Sequence, residues 1–334
     1  MREALFYEKK KQSSVKCLLC PHNCLIQEGK SGICHTRINK QGILYISIYN
    51  QVSAIHSDPI EKKPLYHFYP GNKILSIGGI GCNFQCSFCQ NYSISQCTYE
   101  TSRELINITP TELIENAQKS NNIGIAYTYN EPTIFYEFML ECAELAHSNK
   151  LKNVVVSNGF INQKPLKEIL PYIDAFNIDL KSFNDFFYRK QTKGKLAPVL
   201  ETLKTIANSG KHLEITFLAI TGLNDNPEEF QNMVTWISKE LGKNTPLHIS
   251  RYFPSYKLSN PPTPVSTLEN FYDIASDFLN YVFLGNVSDQ KRSDTYCQGC
   301  GKVLIQRKRY SIEASELLNG SECSNCQIET GIKI

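Results

Sequence analysis

The sequence predicts an α/β fold: six strand–helix units forming an incomplete, TIM-like barrel, with a small cysteine-rich head before it and a cysteine-paired tail after it. Three observations predict this. Short, almost continuously apolar runs alternate with helix-like segments through the middle of the chain, as parallel strands covered on both faces do. Polar residues follow these runs, where an α/β barrel gathers its chemistry. Eleven of the 13 cysteines fall into three tight groups that divide the chain into a head at 1–57, a core at 58–288 and a tail at 289–334.

The apolar runs lie at 74–80 (ILSIGGI), 123–129 (IGIAYTY), 153–157 (NVVVS), 175–180 (AFNIDL), 212–219 (HLEITFLA) and 247–253 (LHISRYF). Between them, Thr109-Pro110 with Glu112 three positions after the threonine reads as a capping box with proline at the first helical position. Further helices are expected from about Thr133 to Asn149, over Ala197–Asn208 and from Pro227 to Leu241. The barrel rule then places the chemistry in the residues just past each run. These are the group at Cys82, Asn130-Glu131-Pro132, Ser157-Asn158-Gly159, Asp179-Leu180-Lys181, Thr221-Gly222, and His248, Ser250 and Arg251.

Composition narrows the function classes. A hydrophobic fraction of 41%, a charged fraction of 20% and a net charge of +3 are ordinary for a globular chain and give no basis for nucleic acid as the main partner. No apolar run approaches the roughly 20 residues that span a bilayer. The N-terminal MREALFYEKKKQ is charged and lacks the apolar core of a signal peptide, so the expected compartment is the cytoplasm. In a reducing cytoplasm, closely spaced cysteines read as metal or cluster ligands.

Cys82, Cys86 and Cys89, in GCNFQCSFCQN, offer three thiolates within eight residues. A closed metal site takes four. Three ligands leave one coordination position open, which chemistry at a metal requires. With Phe88 before the third cysteine, this loop resembles that of radical S-adenosylmethionine (SAM) enzymes. The resemblance implies a [4Fe–4S] cluster whose open iron is chelated by SAM. It also implies reductive SAM cleavage to a 5′-deoxyadenosyl radical.

The likeness sharpens over CLLCPHNC (17–24), DPIEKKPLYHFYPG (58–71), AYTYNEPTIFYE (126–137), SNGF (157–160), NIDLKSF (177–183), TGLND (221–225), SRYFP (250–254), PPTPV (261–265), GNV (285–287) and TYCQGCG (295–301). With these the chain resembles the radical SAM enzyme of the AmmeMemoRadiSam system, a relative of pyruvate formate-lyase activating enzymes. The resemblance implies an activating-enzyme-like radical SAM oxidoreductase with SAM as a partner, a flavodoxin- or ferredoxin-type electron donor and a Memo-like protein partner. Its substrate is not implied. Asn130 and Glu131 resemble the end of the family's Gly-Gly-Glu-Pro motif, which receives the SAM amino group. Tyr129 and Asn130 replace the two glycines. Lys181 resembles the lysine that meets the SAM carboxylate, Asp179 either orients it or touches the ribose, and Asn158 sits in a turn whose backbone can approach the cofactor. His248 is either a SAM contact or a satisfied core histidine.

Cys297, Cys300, Cys323 and Cys326 have the two-knuckle spacing of a zinc ribbon, with a rubredoxin-like iron as the rival. Cys17, Cys20, Cys24 and Cys34 form a second set of four, for a structural zinc or an auxiliary iron–sulfur cluster. The basic stretch Arg307-Lys308-Arg309 reads as a solvated strand face rather than a nucleic-acid contact. Competing functions are a glycyl-radical-enzyme activase and a zinc-only scaffold or nucleic-acid adaptor.

Overall fold

The computed structural model describes residues 1–99, 101–102, 104–308, 311–318 and 320–334. Eight strands lie side by side in chain order: β1 (Ala54–Pro59), β2 (Lys73–Gly78), β3 (Gly124–Tyr127), β4 (Lys152–Ser157), β5 (Ala175–Asp179), β6 (His212–Ala219), β7 (Leu247–Arg251) and β8 (Val282–Gly285). β1 pairs antiparallel with β2, and every other neighbouring pair is parallel. The strands β2 to β7 are the six that the apolar runs mark. The sheet differs from the six-unit expectation at both edges. The four-residue β8 adds a seventh parallel strand, and β1 adds an antiparallel one that crosses the expected head–core boundary at residue 57.

Near-continuous burial along β2 to β5 explains their near-continuous apolarity. Helices between the strands cover the sheet, and two of them start at side-chain caps that the sequence supplies. Thr109 and Glu112 exchange both bonds of a capping box ahead of Pro110–Lys119. The Asn226 side chain accepts from the Glu229 amide ahead of Pro227–Glu240. Stacked Phe230 and Phe271 rings, 4.1 Å apart, join that helix to Val265–Ser276 against Phe217 of β6.

The opposite end of the sheet is closed by polar groups. Glu214 of β6 is fully buried and accepts from the Tyr66 and His67 amides at 3.0 and 2.7 Å and from His212 and His248 at 2.9 and 2.6 Å. The two imidazoles hold its carboxyl well below the usual range against the penalty of burial. The tail docks here. Its strands Thr295–Tyr296, Val303–Lys308 and Ser311–Glu313 form a small antiparallel sheet. Lys333 exchanges backbone bonds with His67 and Tyr69.

Arg307 corrects the expectation of a solvated basic face: it is 2% exposed and donates to the Tyr66 and Ser293 carbonyls and to Thr295. Strand alternation turns it inward. Arg309 lies outside the described residues. Among the described residues, no helix is long and apolar enough to cross a membrane.

Candidate active site

Because β2 to β8 run parallel, their C-terminal ends meet at one rim, and a cavity opens there. Its free volume is about 240 Å³, and it opens to solvent. Cys82, Cys86 and Cys89 line it from the loop after β2, with Asn130 and Glu131 after β3, Asn158 after β4, and Asp179 and Lys181 at the end of β5. The later strands contribute Thr216, Leu218, Ser250 and Asn286. Thr221-Gly222, expected to serve β6, lies beyond this lining.

Two of the three sulfurs meet hydrogen-bonding groups. The Phe84 amide points at Cys82 Sγ at 3.3 Å, Asn158 Nδ2 approaches the same sulfur at 3.9 Å, and Cys89 Sγ bonds Ser95 Oγ at 3.1 Å. Burial pushes the Cys86 thiol up to about 12 against the pull of Lys181, and pushes the Cys82 thiol well above its usual value. Without a metal these thiols keep their protons, so loading the site releases them. No fourth cysteine lines the cavity among the described residues. Three thiols in one cavity, two of them met by hydrogen-bonding groups, fit a cluster ligated on three sides.

Glu131 is not a free acceptor. It is fully buried, and its Oε1 accepts from the Thr133 amide (3.0 Å), Thr133 Oγ1 (2.6 Å) and Ser157 Oγ (2.8 Å), while Oε2 accepts from the Asn158 amide (2.8 Å). Three of the four bonds fall on Oε1 and one on Oε2, so the protein occupies most of the acceptor sites of this carboxylate. Asn130 is engaged at both ends, accepting from the Gly79 amide at 3.1 Å and donating to the Gly81 carbonyl at 2.9 Å. Asn158 donates to Asn83 Oδ1 at 2.8 Å and accepts from the Phe160 amide at 2.9 Å. These three side chains tie together the loops after β2, β3 and β4.

Lys181 Nζ donates to Asp179 Oδ2 at 3.0 Å. Burial works against its charge, but Asp179 and Cys86 outweigh burial and raise its pKa, so it stays a cation. Of the two readings of His248, its surroundings are those of a satisfied core histidine. It lies two residues before Ser250 on β7, toward the closed end, where it bonds Glu214 and packs on Tyr66 and Phe283.

Sequence reasoning missed Tyr129, Asp58 and Lys63. Tyr129 has a left-handed backbone (φ 69°) and lines the cavity. Its hydroxyl donates to Asp58 at 2.6 Å, and Lys63 donates to the same carboxylate at 2.8 Å. Burial opposes the Asp58 charge, yet those bonds hold its carboxyl well below the usual range. An open polar cleft lined by His56, Asp58 and Lys63 shares Tyr129 and Asp179 with the cavity. The one available signal was the motif DPIEKKP at 58–64.

The radical SAM superfamily pattern matches residues 76–237, from inside β2 into the helix Pro227–Glu240. The chain is 44% identical over 332 residues to the uncharacterized protein MJ0808 of Methanocaldococcus jannaschii, covering 98% of this chain and 97% of that one. The chain carries a radical SAM domain at residues 76–237. It is accordingly an enzyme of radical chemistry, related to activating enzymes. Among these relatives, the 4-hydroxyphenylacetate decarboxylase activating enzyme of Clostridium scatologenes is 24% identical over 160 residues, 47% of this chain and 50% of that one. This radical SAM chain shares its fold with a radical SAM methyltransferase of Sphaerobacter thermophilus, at a TM-score of 0.52 and 14% identity over 65% of this chain and 67% of that one.

Proposed function

We propose that Cys82, Cys86 and Cys89 hold a [4Fe–4S] cluster with one open iron, at which SAM binds and is cleaved reductively to act on a still unidentified substrate. The observation that carries this reading is the three-thiol cavity at the strand rim, with hydrogen-bonding groups at two of its sulfurs and no fourth cysteine in its lining. When bound, such a cluster supplies one electron to SAM, giving methionine and a 5′-deoxyadenosyl radical that takes a hydrogen atom from substrate.

The chain's own residues bind and orient. Lys181 offers a buried cation for the SAM carboxylate, and Asp179 holds that ammonium in place. Glu131, Asn130 and Asn158 act as positioning residues, because their polar atoms already hold the three loops. The cleft at Asp58, Lys63 and Tyr129 is the natural approach for a polar substrate.

The quoted motifs support membership of the AmmeMemoRadiSam system, with a Memo-like partner, a flavodoxin- or ferredoxin-type donor and a cytoplasmic setting. Capping of the inner strands by Glu214 and the 66–67 segment supports an incomplete barrel flanked by a head and a tail. For the tail, the Cys297–Cys326 and Cys300–Cys323 sulfurs lie 3.5 and 3.7 Å apart. Tetrahedral zinc at 2.3 Å from each sulfur spaces them by about 3.8 Å. This supports a zinc-ribbon-like tail, although a tetrathiolate iron satisfies the same spacing.

The test is anaerobic reconstitution with iron, sulfide, SAM and reductant, followed by assay for 5′-deoxyadenosine. Formation by the native chain and loss in Cys86→Ala are expected; no product from the native chain sinks the reading. Likeness to three activating enzymes favours one alternative, a glycyl-radical-enzyme activase. That alternative requires a persistent glycyl radical in a partner protein, read by EPR, and fails if no candidate partner acquires one.

A further inference from the structure

We infer that Cys17, Cys20, Cys24 and Cys34 hold a second iron–sulfur cluster, of the [4Fe–4S] type, set against the loop that carries Cys82.

The argument begins with spacing. Four thiolates on one ion must converge, because each sulfur lies about 2.3 Å from a shared centre. A four-iron cluster instead spreads its thiolates around the outside of a cube of iron and sulfide. The chain contains both spacings. Among the described residues, Cys297, Cys300, Cys323 and Cys326 form the one group of three or more whose ligand atoms all lie within 4.8 Å of one another. The head sulfurs, all described, do not meet that spacing, and neither do those of Cys82, Cys86 and Cys89. Yet the four head cysteines line a single cavity, whose wall also includes Leu19, Ile26 and Ile134. They surround a space instead of collapsing on a point. The comparison with Cys82, Cys86 and Cys89 rests on the function proposed above; the comparison with the tail does not.

A second observation points to an anionic occupant. Arg37 lines the same cavity, is 1% exposed, and its Nε has no hydrogen-bond partner. Its other nitrogens pair with Glu137 and the Leu5 carbonyl. A buried N–H without a partner is costly, and thiolate or sulfide at the cavity wall would satisfy it. Thr36 Oγ1 adds a donor 3.4 Å from Cys34 Sγ.

The site adjoins the first cluster loop. Asn83, next to Cys82, lines the head cavity, and its carbonyl bonds His22 at 2.7 Å. Gly81 lies so close to Cys34 that a Cβ there would fall 2.3 Å from the Cys34 carbonyl oxygen. Four cysteine ligands leave no iron open. The head site therefore differs in kind from Cys82, Cys86 and Cys89: it suits holding an electron, and offers no position for a substrate.

The test uses the full chain with Cys82→Ala, Cys86→Ala and Cys89→Ala combined, reconstituted without oxygen. About four iron and four acid-labile sulfide per chain should remain. After reduction the EPR signal should not respond to SAM, and adding Cys20→Ser and Cys24→Ser should remove it. Loss of all labile sulfide, with about two zinc per chain, overturns the inference, since head and tail would then both be zinc sites. If the triple variant does not fold, the wild-type chain decides: about eight sulfide supports the inference, and about four, unchanged by Cys20→Ser and Cys24→Ser, overturns it. Failure of the proposed SAM site looks different, as about four sulfide in the wild-type chain that disappear with the head substitutions.

Discussion

Glu131→Gln separates a residue that builds the site from one that touches SAM. In the native chain the buried carboxylate accepts four bonds, two of them from backbone amides that have no water to turn to. The hydroxyls of Thr133 and Ser157 can rotate; the amides of Thr133 and Asn158 cannot. Glutamine's best orientation keeps its oxygen toward Thr133 and Ser157 and turns its NH2 group against the Asn158 N–H. One buried donor is then unpaired, at about 1–3 kcal/mol, and three charge-assisted bonds weaken by about 1 kcal/mol each. Burial is the largest influence on this carboxyl and pushes its pKa up, so loss of the charge offsets part of the cost. A net destabilisation of about 3 kcal/mol is expected. The assay pairs the urea-unfolding midpoint of the anaerobically loaded protein with the equilibrium affinity for SAM. A midpoint shifted by less than about 1 kcal/mol, with SAM affinity down tenfold or more, would refute the positioning role and make Glu131 a direct ammonium contact.

Three further outcomes follow from the same geometry. Lys181→Met should weaken SAM binding at least about tenfold, since a charge-assisted bond is lost, while iron and sulfide per chain stay unchanged; equal affinity would exclude Lys181 from the site. Gly81→Ala should lower both iron loading and the urea midpoint, the latter by on the order of 3 kcal/mol, because φ is left-handed and the obstructing atom is backbone. Burial pushes the His67 imidazole down to about 3, against about 6.5 in an unfolded chain. The unfolded chain takes up a proton in that window and the folded chain does not, so stability present above pH 6.5 falls by a few kcal/mol as pH drops toward 3. His67→Gln should flatten the difference between urea midpoints at pH 7.5 and 5, and an unchanged slope would count against His67 as its source.

The sequence made six inner strands legible because strands buried on both faces leave near-continuous apolar runs, and the barrel rule then pointed to the rim. The edges were not legible for the same reason. β1 is half solvated, with a burial pattern that carries no apolar run, and β8 is four residues long. His248 shows a different limit. Side-chain parity tells which face a strand residue occupies, but not how deep along the strand it lies. Its depth follows from pairing, in which His248 stands opposite Thr216 of β6, beside Glu214. The Arg307–Tyr66 and Tyr129–Asp58 contacts likewise join positions more than 70 apart, and no local window contains them.

The distribution of hydrogen bonds divides the motif residues into two kinds. Asn130, Glu131 and Asn158 have both ends of their polar groups bonded to neighbouring loops, which makes holding those loops their main task. Lys181 carries three donors, of which Asp179 accepts one, and Asp179 meets it with one oxygen of two. The capacity to bind something new therefore lies at the end of β5, while the capacity to hold the cysteine loop lies after β3 and β4. A motif match cannot make that distinction, because both kinds of residue would be retained at fixed spacing. Substitutions at Lys181 and Asp179 should alter affinity with the fold intact, and those at Asn130, Glu131 and Asn158 should loosen the fold before they alter affinity.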